Sequence, residues 1–281
     1  MDTQFHEGLM ELNRSRLAPS FAPPSTHELE QQFAVHEQEL RWIESERALV
    51  SRRAALVPVE PEPFVRWFEG LKLDGPGQGD PLFPWLAATA KFDQIRWFLH
   101  QEVAGEAGFE DLVALTQLRM PERVKLELAR NYWDEMGRGH ESGMHGPMLA
   151  RMAVDLDLAT VSAPIVPEST ALGNLLAGLA SNRGYAYQSV GALGVVELTA
   201  PGRAALVNAG LKRLGIAPRV RQYYALHATL DIKHSEAWNA EVLGPLVACQ
   251  PRVAPLIAEG ALMRLEAGAR CFVRYRSELS V

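Results

Sequence analysis

The chain has 281 residues, 47% of them apolar and 22% charged, and a net charge of -6. That is the composition of an ordinary globular protein long enough to bury a core without disulfides or a structural metal, and its acidic balance disfavours nucleic acid, which needs a basic face. The two cysteines, Cys249 and Cys271, lie far apart and outside any CxxC spacing, which argues against a disulfide framework and a zinc-thiolate site.

Taken in chain order, residues 1–24 read as irregular and end in Ala22-Pro23-Pro24, after which Ser25 and Thr26 offer helix N-caps. No basic stretch followed by an apolar run opens the chain and no run reaches membrane-span length, so no signal peptide, no membrane and a cytoplasmic location are expected. Residues 27–56 carry Leu29, Phe33, Leu40, Ile43 and Leu49 at helical spacing among charges. Prolines 58, 61 and 63 break that helix, a short amphipathic piece follows at Phe64–Phe68, and residues 74–80 form a Gly-rich loop. Residues 1–80 are therefore expected to be a helical extension, packed on the core or on a second subunit, and 81–281 a separate core.

Within that core the pattern predicts helix one over 84–117 and helix two from Pro121, a favoured first-turn residue, to Gly137. The Gly-rich stretch 137–143 loosens the chain before it resumes near Pro147, and a connecting helix follows Pro167. Helix three covers 184–214 with Pro201-Gly202 inside it. Helix four runs from Pro218 to Leu246, and a last helix covers 253–279. Short alternating strands with hairpin turns are lacking, so the fold class is all-α.

The core halves show a short internal repeat: Pro121-Glu-Arg-Val124 resembles Pro218-Arg-Val220, and eleven residues onward stand Glu135 and Asp231. Counting backward, Glu102 and Glu197 fall at nearly equivalent places, each ahead of a Leu-Val pair. Each half thus offers two acidic residues on consecutive helices, as a two-metal site between paired helices would need.

The residues that carry chemistry cluster on helices one to four. His227, Asp231 and His234, spaced i, i+4, i+7, share one face of helix four, and imidazole with carboxylate suits iron, manganese or zinc. A surface His pair with an ion-paired Asp is the plainer reading of that face. Glu135 stands in a core-like helix, and the glycines after it would let His145 fold back over its carboxylate, with His140 and Glu141 as rivals. Glu197 is a lone carboxylate in the apolar run 191–198, where burial demands a metal or a partner such as Arg203. Helix one offers Glu102, Glu106 and Glu110 on nearly one face; the repeat selects Glu102, with Glu106 as runner-up and Glu110 best suited to solvent. Tyr185, Tyr187 and Tyr224 are candidate substrate-pocket residues, and Arg264 and Arg270 candidate partners of a substrate carboxylate.

The segment Asn131-Tyr-Trp-Asp-Glu-Met-Gly137 and the His-x3-Asp-x2-His face at 227–234 resemble the heme-oxygenase-like diiron oxidases and oxygenases, also described as iron-containing redox enzymes. The resemblance covers roughly residues 85–280. It implies a heme-oxygenase-like seven-helix bundle and a metal set of Glu102, Glu135, His145, Glu197, His227, Asp231 and His234, with Glu135, Glu197 and Asp231 as the catalytic carboxylates. It further implies two Fe(II) ions per chain, O2 as co-substrate, and oxidation of a small organic molecule by N-oxygenation, C–C cleavage or desaturation. A small-molecule substrate, an external electron donor and a homodimeric partner are the expected associates. Heme oxygenases hold heme through a helix-one His; His100 is next to Glu102, but so acidic a set argues against heme. The competing readings are a cofactorless oxidase on the same fold and a non-catalytic iron- or ligand-binding bundle.

Overall fold

The computed structural model describes residues 2–106 and 108–281, and among them the regular structure is helical; Met136 and Met144 form an isolated β-bridge. Residues 1–24 depart from the expectation of an irregular segment, for Thr3–Leu17 is a helix (α1) with Asp2 accepting from the Phe5 N–H as its N-cap. Its few apolar residues hide its periodicity; Leu9 is fully buried, and polar groups supply the rest of its docking. Asn13 donates to the Asn174 side chain at 2.9 Å, and Asn174 donates to the His6 carbonyl at 2.8 Å.

Helix α2 (Thr26–Ala54) starts at a capping box between Ser25 and Glu28, and α3 (Pro61–Asp74) at a first-turn proline. Both join the main core: Ile43, Val50, Phe64 and Phe68 are buried in the same apolar cluster as Leu193, Ile257 and Met263. Ion pairs fasten α2 to the last helix, with Arg270 to Glu46 at 2.6 Å and Arg53 to Glu266 at 2.5 Å. The expectation that Arg270 binds a substrate carboxylate is thereby corrected, because its guanidinium is engaged by Glu46.

The expected single helix over 84–117 is cut into α4 (Leu82–Ala88), α5 (Phe92–Gly105) and α6 (Phe109–Thr116). Lys91 starts α5 with an N-cap, and Gly108, at φ 73°, starts α6 with a backbone that a helix interior forbids. Then follow α7 (Glu122–Glu135), α8 (His145–Asp155), α9 (Pro167–Ser181), α10 (Ala186–Arg213), α11 (Gln222–Ala237), α12 (Gly244–Cys249) and α13 (Ala254–Leu279). A π-helical turn, Trp238–Leu243, joins α11 to α12 where one continuous helix was expected. The breaks leave more segments than the seven of the expected bundle.

Helix α10 is the axis of the molecule. Residues 183–213 are long and apolar enough by composition to cross a membrane, with an 18-residue window of mean hydropathy 1.3, yet here they pack against α11 and α13. The α10–α13 crossing brings backbones into contact at two glycines. A Cβ on Gly191 would lie 1.8 Å from the Ile257 carbonyl oxygen, and one on Gly260 1.8 Å from that of Gln188. This close approach sets Glu197 on α10 and Arg264 on α13 around one cavity.

Candidate metal centre

The site forms where α7, α8, α10 and α11 converge. Glu135 is the last residue of α7, and the chain must reverse at once for His145 to return. Gly137 and Gly139 take φ of 61° and 84°, and Arg138 itself adopts 54°. A Cβ on Gly137 would lie 2.4 Å from the Gly143 carbonyl carbon, so only glycine lets the turn close on itself. The closure puts His145 Nδ1 2.6 Å from Glu135 Oε2. His140 and Glu141, the rivals inside that turn, are exposed.

His234 arrives from α11, its Nδ1 3.4 Å from Glu197 Oε2 and 3.9 Å from Glu135 Oε1. Two groups of donor atoms result, each spanning no more than 4.8 Å: Glu135 with His145 and His227, and Glu135 with Glu197 and His234. Glu135 belongs to both. Asp231 is one turn from each of His227 and His234, and its Oδ1 is buried without a hydrogen-bond partner among the described residues.

Electrostatics make this cluster costly as protein alone. Burial and the neighbouring Glu197 carboxylate push Glu135 well above the usual carboxylate range, against the pull of His234. Asp231 is raised by burial and by Glu197 and Glu135 together. Burial pulls the His234 imidazolium down, but Glu197, Asp134 and Glu135 outweigh it and hold it up to about 9. Burial and a neighbouring imidazole drive His145 and His227 down to about 4, so both are neutral, the form that binds a metal. Three buried carboxylates with one or no proton-bearing partner each want positive charge between them.

Further groups orient these side chains. His227 Nδ1 donates to the Tyr223 carbonyl at 2.7 Å, which turns Nε2 toward the cluster. His234 Nε2 is 3.2 Å from Asp134 Oδ2, and Asn131 donates to Glu197 Oε1 at 2.6 Å. Such partners fix tautomer and ring angle at metal sites. Arg203 is therefore not the partner of Glu197; Asn131 is. Pro201, without an N–H, also leaves the Glu197 carbonyl short of its helical donor. Imidazoles and carboxylates converging with orphaned atoms fit iron, and His227, Glu135, Glu197, His145 and His234 are the residues that would hold it.

Glu102 is directed elsewhere. It lines the same cavity but falls in neither donor group, and it feels the charges of Arg203 and Arg264. Glu110, assigned to solvent from the sequence, is instead beside the cluster: a Cβ on Gly146 would lie 2.5 Å from its Oε1, and its charge acts on Glu135 and His145. Glu106 lines the cavity and caps α6 by accepting from the Phe109 N–H at 3.1 Å. His100 does not line the cavity.

The cavity, about 180 Å³, runs from the cluster toward α13 between apolar walls that include Phe98, Leu172, Val207 and Phe272. Tyr224 lines it as expected, joined by Tyr223, which the sequence reading overlooked. Tyr185 and Tyr187 are corrected, for neither lines the cavity, and the Tyr185 hydroxyl donates to Glu44 at 2.7 Å.

A family model described as "Iron-containing redox enzyme" matches residues 96–269. No curated protein matches the chain. Among solved structures, a CADD-like protein of unknown function from Nostoc punctiforme is similar at a TM-score of 0.60 and 20% identity, covering 77% of this chain and 97% of that one. That likeness carries the heme-oxygenase-like fold and nothing about activity.

Proposed function

The chain belongs to the iron-containing redox enzyme family, and from that premise we propose that it is a non-heme diiron oxidase or oxygenase that uses O2 to oxidise a small organic molecule. The observation that supports this most is Glu135, one buried carboxylate shared by two His-containing donor groups. A carboxylate with two oxygens facing two such groups is suited to bridge two cations.

Two Fe(II) ions bound there would supply the electrons for O2 reduction that amino-acid side chains lack. The protein's part is positioning. Glu197 is held by Asn131, His234 by Asp134 and His227 by the Tyr223 carbonyl, so the donors keep their angles without reorganisation. Asp231, with a free buried oxygen, completes the helix-four face, and Glu110 is the helix-one carboxylate that stands closest to hand beside His145. The aromatic and aliphatic walls of the cavity give whatever is oxidised there an apolar surface to pack against.

The test is to load the chain anaerobically with Fe(II) and mix it with O2 in a stopped-flow spectrophotometer. A transient visible absorption with O2 consumption is expected, and Asp231→Ala should lose both. Iron bound without any reaction with O2 would leave a non-catalytic iron-binding bundle.

A further inference from the structure

The cavity also carries two arginines whose N–H groups are not all satisfied. Arg203 of α10 and Arg264 of α13 both line it. The Arg203 guanidinium carbon lies 5.9 Å from the ring centre of Phe83 and 5.4 Å from that of Phe272. Its Nη2 donates to Thr199 Oγ1 at 2.8 Å, and its buried Nη1 has no acceptor among the described residues. Arg264 is less satisfied still, since Nε and Nη1 are both buried with no acceptor among the described residues. It lies across Gly268, where a Cβ would come 2.6 Å from Nη1, so the glycine makes room for the guanidinium.

Glu102 feels both charges and Glu106 that of Arg264, yet among the described residues no ion pair within 4.0 Å joins either carboxylate to either arginine. Two carboxylates thus stand near two guanidiniums, but three guanidinium nitrogens remain buried with no acceptor among the described residues. Buried N–H groups without acceptors are expensive, and the forked N–H groups of arginines lining a cavity match the two oxygens of a carboxylate. Phe98, Leu172, Val207 and Phe272 give the same cavity apolar lining.

We propose that Arg203 and Arg264 form the carboxylate-binding subsite of the cavity, and that the substrate is a small organic monocarboxylate whose apolar body reaches from them toward Glu135. The second half rests on the diiron reading; the first does not. With two carboxylates already near the arginines, a monoanion fits better than a dianion, and an amine would meet guanidinium groups that only donate. The arginines then decide which end of the molecule faces the metals, and so which carbon or heteroatom is presented for oxidation.

The experiment is calorimetric titration of the metal-free full chain with octanoate, 3-phenylpropanoate and octylamine. At least one carboxylate binds and octylamine does not. Arg264→Gln weakens that carboxylate by about tenfold to a hundredfold, the loss expected of charged hydrogen bonds, and Arg203→Gln does likewise. Gly268→Ala keeps both arginines but crowds the Arg264 guanidinium, and weakens binding in a chain whose fold is checked by its melting temperature. The proposal is overturned if neither carboxylate binds, if octylamine binds as well as octanoate, or if the Arg264 and Gly268 variants bind as the parent does. Because no iron is present, these outcomes are independent of whether the metal centre fills.

Discussion

At the scale of single residues, the site is held by neighbours as much as by its donors. Asp134 does not line the cavity beside the cluster, yet its carboxylate is 3.2 Å from His234 Nε2 and so turns Nδ1 toward Glu197 and Glu135. Asp134→Asn is expected to weaken Fe(II) binding by about 10–100-fold while leaving the number of sites unchanged at saturating iron, as equilibrium dialysis would show. Unchanged affinity would mean that the ring needs no such support. Most of these donors were legible in the sequence, because a Glu in an apolar run and three polar residues on one helix face are conspicuous wherever they are buried. Glu110 was not. It shares a face with Glu102 and Glu106 on an uninterrupted helix, and only the break before Gly108 redirects it to His145 while Glu102 turns toward the arginines.

At the scale of elements, glycines set the two geometries on which everything else rests. The turn between α7 and α8 closes only because Gly137 has a left-handed φ of 61° and no Cβ against Gly143. Gly137→Ala should destabilise the chain by about 1–3 kcal/mol, from strained backbone and steric overlap, and should displace His145. Lowered melting temperature together with weakened iron binding checks this; a lower melting temperature with normal iron binding would detach His145 from the turn. The α10–α13 crossing is tighter, with no room for a methyl at Gly260. Gly260→Ala is expected to cost about as much or more, read as a fall in the midpoint of urea unfolding. The sequence showed these glycines but not their partners, since close approach between helices 60 or more residues apart leaves no local periodicity. The breaks that made α4, α5 and α6 of one expected helix were hidden for a related reason: apolar spacing continues across them, and only the caps at Lys91 and Gly108 interrupt it.

At the scale of the whole molecule, α2 and α3 share the main core, and α1 adds a pH-dependent attachment. His6 is buried against the Trp42 ring, with centroids 4.9 Å apart. Burial pulls its imidazole down to about 4, against the nearby Asp2 carboxylate and aided by Arg270. In the unfolded or detached helix His6 titrates near its ordinary value of 6.5. The detached form thus binds more protons between those values, so the docking of α1 is fully stable above 6.5 and weakens as pH falls toward 4. Faster hydrogen exchange of α1 amides at pH 5 than at pH 7, corrected for intrinsic rates, is expected, and His6→Leu should abolish the difference. The all-helical class and the order of the core helices were readable from periodicity and proline placement; α1 was not, because one leucine with an asparagine and a histidine, rather than an apolar stripe, docks it. The central claim is that the carboxylates and imidazoles around Glu135 hold a pair of irons, and anaerobic titration of the metal-free chain with Fe(II) tests it most directly. Binding should saturate at about two irons per chain, as the shared-carboxylate arrangement requires, and Glu135→Ala should reduce it to one or none. Saturation of the parent chain at one iron, or no binding at all, would contradict the account.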